Sequence, residues 1–212
     1  MSLRRLPVYL LLDCSGSMFG DPIEAVRQGL KSLINDLRTD PLAVETAYLS
    51  VITFNSSAQQ VVPLTELMQF KEPKLEASGG TSLGEALTLL ESCIAREVKK
   101  SSAEQKGDWK PMIFLMTDGM PTDSWEAAAD RIKKSKPGNI IACAAGADAD
   151  SSMLKRITEI VVAVNSLQPD TLKAFFRWVS DSIKVTSSSV SVKPADTPVS
   201  FPPAPPVIQI VP

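Results

Sequence analysis

Residues 7–17 constrain the chain more than any other stretch. Pro-Val-Tyr-Leu-Leu-Leu is a short apolar run of the kind that forms a strand buried on both faces. It ends at Asp13, after which Asp13, Ser15 and Ser17 offer oxygens at alternate positions, with Gly16 between the serines to let the loop fold back. A second apolar run, residues 111–117, stops the same way, at Asp118-Gly119. Two buried strands that each end in an aspartate beside hydroxyls predict one site at the carboxyl edge of a parallel sheet. Oxygen donors of this kind are hard ligands and suit Mg2+ or Mn2+.

Composition narrows the chemistry. The chain has 212 residues, room for one α/β domain and a tail. It contains no histidine, which removes Ser-His-Asp and Cys-His catalysis and any imidazole-bound zinc. A net charge of -2 gives no footprint for nucleic acid and little attraction to an anionic membrane surface. Cys14, Cys93 and Cys143 are odd in number and widely spaced, as reduced thiols are. Arg4 and Arg5 followed by apolar residues imitate a signal peptide, but the run stops at Asp13 and no cleavage site follows. No run is long enough to span a membrane. The expected location is cytoplasmic.

Along the chain, Asp21-Pro22-Ile23-Glu24 reads as a helix start with Asp21 as cap, and Ile23, Val26, Leu30, Leu33, Ile34 and Leu37 give the buried stripe. Thr39-Asp40-Pro41 reads as its end. Residues 44–54 read as a long strand, and residues 58–62 as an antiparallel return stopped by Pro63 at a sheet edge. Gly79-Gly80-Thr81 then leads into Ser82-Leu83-Gly84-Glu85, a capping box opening a helix with Leu83, Leu87, Leu90, Ile94 and Val98 inward. Residues 99–110 read as polar and exposed. After the strand at 112–117, Asp123 is expected to cap a helix ended by Pro137-Gly138. Residues 139–145 and 160–164 read as the remaining strands, and Asp170 opens a final helix.

This alternation predicts a doubly wound, mostly parallel six-stranded sheet with one antiparallel edge strand and helices on both faces. The domain is placed at residues 1–184. Residues 185–212, with seven of the 16 prolines, read as a Ser/Pro-rich extended tail whose apolar end, residues 207–211, is free to dock.

The three motifs in this setting resemble a von Willebrand factor type A domain and its metal-ion-dependent adhesion site. Asp13, Ser15 and Ser17 match the first motif, Thr81 the second and Asp118 the third. The resemblance covers residues 6 to about 184. It implies a bound Mg2+ or Mn2+ and capture of a partner's Asp or Glu carboxylate, without catalysis. The stretches Leu-Pro-Val-Tyr-Leu-Leu-Leu-Asp, Ser-Gly-Ser-Met and Asp-Pro-Leu-Ala-Val-Glu, with the proline-rich end, are similar to bacterial TerY-type proteins of the tellurium-resistance group. That likeness implies a stress-response assembly with a PP2C-type protein phosphatase and a Ser/Thr kinase.

Two other readings fit parts of the pattern. A haloacid-dehalogenase-like magnesium phosphatase also opens on a buried strand ending in aspartate, but it wants a second aspartate where Ser15 stands. A metal-free structural scaffold is the third. Asp148 and Asp150 read as a loop and helix cap rather than a cation site, and Cys14 as a neutral spacer. Trp125 reads equally as packing residue or partner contact, and Met18, Phe19 and Met120 as contact surface.

Overall fold

The computed structural model describes residues 4–102, 106–146, 149–190 and 201–212. Seven strands form one sheet: β1 (Leu6–Asp13), β2 (Ala47–Phe54), β3 (Ala58–Glu66), β4 (Met112–Thr117), β5 (Asn139–Ala145), β6 (Ile160–Val164) and β7 (Gln209–Ile210). The spatial order is β3-β2-β1-β4-β5-β6-β7. The strands from β2 to β6 pair in parallel, and β3 and β7 run antiparallel at the two edges. The helices are α1 (Asp21–Leu37), α2 (Pro41–Thr46), α3 (Leu83–Glu97), α4 (Glu126–Ser135), α5 (Ser151–Leu154) and α6 (Pro169–Val190).

Strand β1 is buried over its whole length because both its faces are covered. Val8, Leu10 and Leu12 join a core with α1 and α6, while Tyr9 and Leu11 join a second core with α3 and α4. Helices α1 and α6 approach so closely at Gly29 that a Cβ there would overlap the Phe176 ring. Any larger residue at 29 would force the two helices apart.

The expected architecture is present, with corrections at its ends. The sheet has seven strands, not six, because the apolar end of the tail adds β7 beside β6, with Ile208 buried behind it. Helix α6 continues past residue 184 to Val190, so this part of the Ser-rich stretch is helical; Thr186 and Ser187 are buried against the core. Residues 41–46 form α2 instead of opening a strand. Asp40-Pro41 is a start signal as well as a stop: the Asp40 carboxylate accepts from the Ala43 N–H at 2.8 Å. Pro63 lies within β3 rather than ending it, which the exposed side of an edge strand permits.

The helix caps also differ. Gly20, at φ 87°, holds the N-cap of α1, not Asp21, and Glu24 pairs with Arg27 instead of closing a capping box. Lys136, in the left-handed region at φ 45°, ends α4 ahead of Pro137-Gly138. The expected exposure of residues 99–110 does not hold at its far end, 107–110. Asp108 takes the Arg5 guanidinium at 2.8 Å and the Lys99 N–H at 2.7 Å, and Trp109 is buried.

Candidate functional site

The chain order places β4 on one side of β1 and β2 on the other, so the path of the sheet reverses at β1. The crevice outside the carboxyl ends of β1 and β4 is where doubly wound sheets hold ligands. Asp13 ends β1, and Asp118 follows β4 directly.

The predicted residues converge there. Asp13 is fully buried; its Oδ1 accepts the Ser15 N–H at 2.8 Å and its Oδ2 the Thr117 hydroxyl at 2.5 Å. The Ser15 and Ser17 hydroxyls lie 3.0 Å apart, and Ser17 donates to Asp118 Oδ1 at 2.9 Å. A single 3-10 turn over Gly16–Met18 brings these oxygens round. Thr81 is buried at the same edge and held through its backbone, and no hydrogen bond among the described residues uses its hydroxyl. Gly16 N–H donates to the Gly79 carbonyl at 3.0 Å and so ties the first loop to the second. Gly79, at φ 71°, supports that contact in a conformation other residues rarely adopt.

Electrostatics favour a cation. Burial lifts the Asp13 carboxyl above its ordinary value; hydrogen bonds from Ser15 and Thr117 pull it back, and the Asp118 charge lifts it further. Burial lifts Asp118 too, against the Ser17 bond. Two desolvated carboxylates at one edge are a costly arrangement that a positive ion offsets. Among the described residues no cluster of three His, Cys, Asp or Glu side chains could hold a metal, so the donor set is hydroxyl-rich. Five oxygens without nitrogen or sulfur fit a hard ion such as magnesium. Cys14 contributes no thiolate: burial, then the Asp13 charge, pushes its thiol up to about 12. Its place as a neutral spacer follows.

Sequence reasoning missed the residues that hold these loops. Thr117 fixes the inner oxygen of Asp13. Thr122 clamps Thr81 twice, accepting the Thr81 N–H at 2.8 Å on its hydroxyl and donating its own N–H to the Thr81 carbonyl at 2.9 Å. Asp123 does not cap α4. Its carboxylate instead accepts the Gly84 and Glu85 N–H groups at 3.1 and 3.0 Å, the cap assigned from sequence to Ser82. Asp123→Ala is therefore expected to destabilise α3, a helix remote in sequence, by about 1–2 kcal/mol. A thermal melt checks this, and Asp123→Asn should restore most of the loss.

The structure bears on three further expectations. Asp150 caps α5, accepting from Ser152 N–H at 2.8 Å, and Asp148 lies outside the described residues. Trp125 is half-buried against the second core with the Arg156 guanidinium over its ring at 5.3 Å. Met18 is fully buried and is no contact residue, while Phe19 and Met120 are exposed.

Comparison with known proteins agrees with the fold. An uncharacterised protein of Synechocystis sp., sll0103, is 35% identical over 123 residues, 55% of this chain and 26% of its own length. Inter-alpha-trypsin inhibitor heavy chain H2 of Mesocricetus auratus is 26% identical over 166 residues, 71% of this chain and 16% of its own. The chain thus spans about a quarter or less of these relatives. Among solved structures, a von Willebrand factor type A protein from Catenulispora acidiphila superposes with a TM-score of 0.64 at 22% identity, covering 86% of this chain and 43% of that one. Proximal thread matrix protein 1 from the mussel byssus, with a zinc-occupied MIDAS motif, gives 0.60 at 19% identity over 84% of this chain and 48% of that one. The sequence pattern of the von Willebrand factor type A domain matches residues 8–177, and the chain belongs to that family of protein-interaction modules.

Proposed function

We propose that the chain is a non-catalytic, divalent-metal-dependent protein-binding module that captures a partner's Asp or Glu side chain. The observation that carries this is the hydrogen-bonded set of Asp13, Ser15, Ser17 and Asp118 at the crevice between β1 and β4, with Thr81 clamped beside it. When bound, Mg2+ or Mn2+ would supply an electrophilic position for one outside carboxylate oxygen. Asp13 and Asp118 would balance its charge, and Ser15, Ser17 and Thr81 would supply neutral oxygens that leave such an ion electron-poor.

A phosphatase reading finds less support. Ser15 stands two residues after Asp13, where an acid/base carboxylate is needed. With no histidine in the chain, no imidazole base is available either. The likeness to TerY-type proteins supports a finer version: a cytoplasmic role beside a PP2C-type phosphatase and a Ser/Thr kinase in a tellurite or stress response.

Calorimetric titration with magnesium and manganese, followed by co-precipitation of such a phosphatase or kinase with and without chelator, tests the proposal. Capture is expected to need metal and to be lost in Asp118→Ala, with the fold retained by circular dichroism. Metal-independent capture, or turnover of p-nitrophenyl phosphate abolished by Asp13→Asn, would overturn it.

A further inference from the structure

The loops around the site have an unusual composition. Residues 14–20, 55–57, 77–82 and 119–122 are joined at the carboxyl edge by the bonds Cys14 N–H to Phe54 C=O, Gly16 N–H to Gly79 C=O, Ser82 N–H to Asn55 C=O and Thr81 to Thr122. None of these four loops contains a Lys, Arg, Asp or Glu. The first charged residues beyond them, after Asp13 and Asp118 themselves, are Asp21, Glu76, Glu85 and Asp123, all acidic. The nearest cations are already paired, Arg27 with Glu24 at 2.9 Å and Lys74 with Glu76 at 2.5 Å. Among the described residues the rim therefore offers no unpaired cation to an incoming anion.

It does offer apolar surface. Phe19 is 77% exposed and Met120 53%, each two residues beyond a site oxygen, Ser17 and Asp118. Neither is loose. Met18, next to Phe19 in the chain, is fully buried, and Gly20 at φ 87° redirects the chain into α1. Met120 lies between the buried Asp118 and Thr122, which is bonded to Thr81. Large apolar side chains held out on pinned loops lose little entropy on meeting a partner.

We infer that the rim is built for a protein segment presenting one solitary carboxylate between apolar side chains, and not for an acid-rich or polyanionic partner. This rests on the carboxylate-capture reading above. A single anionic group would be balanced by the bound ion, whereas each further acid on the partner meets a rim whose cations are already paired, beside the acidic Asp21, Glu85 and Asp123. Apolar residues on either side of the carboxylate instead bury against Phe19 and Met120.

The test uses three synthetic peptides, labelled at the amino end and amidated at the carboxyl end so that aspartate supplies the only carboxylate, with saturating magnesium and read by fluorescence anisotropy: Ala-Leu-Asp-Leu-Ala, Ala-Ser-Asp-Ser-Ala and hexa-aspartate. The leucine-flanked peptide is expected to bind wild type about tenfold more tightly than the serine-flanked one. In a Phe19→Ser, Met120→Ser double variant that preference should vanish, while calorimetric magnesium affinity and binding of the serine-flanked peptide are unchanged. Equal affinity of wild type for the first two peptides, tightest binding of hexa-aspartate, or a preference that survives in the double variant would overturn the inference. If no peptide binds in a magnesium-dependent way, the carboxylate-capture reading itself fails, and this inference falls with it.

Discussion

Asp13→Asn is expected to lower magnesium affinity by about a hundredfold, since attraction between a desolvated carboxylate and a divalent ion is worth several kcal/mol. In the absence of metal the same substitution is expected to raise the melting temperature at neutral pH. The two effects have one cause. Burial lifts the Asp13 carboxyl above its ordinary value of 3.8, and the Asp118 charge lifts it further. A carboxyl whose folded pKa is raised binds its proton more readily folded than unfolded. Its stabilising contribution is complete below 3.8 and is lost as pH rises through the folded value, leaving the metal-free protein penalised near neutrality. An amide carries no such penalty. It can still accept the Ser15 N–H on its oxygen and donate to the Thr117 hydroxyl, so the local bonds survive. The stability gap between variant and wild type should therefore widen as pH rises from about 4 and then level off. Added magnesium should raise the wild-type melting temperature and leave the variant almost unmoved. A metal-free variant that melts below wild type at neutral pH would refute this account of the site's electrostatics.

The site was legible where its residues sit at strand ends. A buried run that stops at an aspartate is a local signal, and the residues at 13, 15 and 17 follow it without interruption. Gly79-Gly80 before a helix marks Thr81 in the same local way. Residues that act at a distance carry no such mark. Thr117 serves Asp13 from 104 positions away, Thr122 serves Thr81 from 41, and Asp123 caps α3 from 39. In sequence Thr117 only closes a strand, Thr122 is a polar loop residue, and Asp123 points to the helix that follows it rather than to α3. Local chemistry was also ambiguous at Asp40-Pro41, which ends one helix and begins the next with the same two residues. The capping-box pattern Ser82 to Glu85 was present but unused, because the Asp123 carboxylate occupies the amides it would have served. Beyond residue 184, serine-rich composition argued against helix, yet burial of Ser182, Ile183, Thr186 and Ser187 holds α6 to Val190. Tertiary packing outweighs the roughly half a kcal/mol that each Ser or Thr costs in a helix.

Removing residues 201–212 is expected to lower the melting temperature by about 4–8 °C, which corresponds to about 2 kcal/mol in a chain of this length. Composition alone marks this stretch as a dispensable tail, but the structure uses it as a strap. Phe201 lies against Trp178 at 6.0 Å between ring centroids, and the Trp178 indole donates to the Pro202 carbonyl at 3.0 Å. Ile208 enters the first core, and Gln209–Ile210 close the open edge of β6, followed by the Val211 N–H on the Val161 carbonyl at 2.9 Å. Much of this gain is offset by the entropy of ordering the strap, so the net loss on removal should approach that of its one deeply buried side chain. Paired substitutions isolate it. Ile208→Ser should reproduce most of the loss, whereas Ile210→Ser, at a side chain 67% exposed, should change stability by less than about 0.5 kcal/mol. Equal effects from the two would mean that strand pairing, not core burial, holds the strap. The truncated protein should also self-associate with concentration, because the bared β6 presents unpaired backbone groups beside apolar side chains. Magnesium affinity should be unaffected: β5 and β6 separate β7 from β4, and no residue of the strap reaches the crevice beside β1. A truncated chain that loses magnesium binding while remaining folded would show that the far edge of the sheet and the metal crevice are coupled, which the packing described here gives no reason to expect.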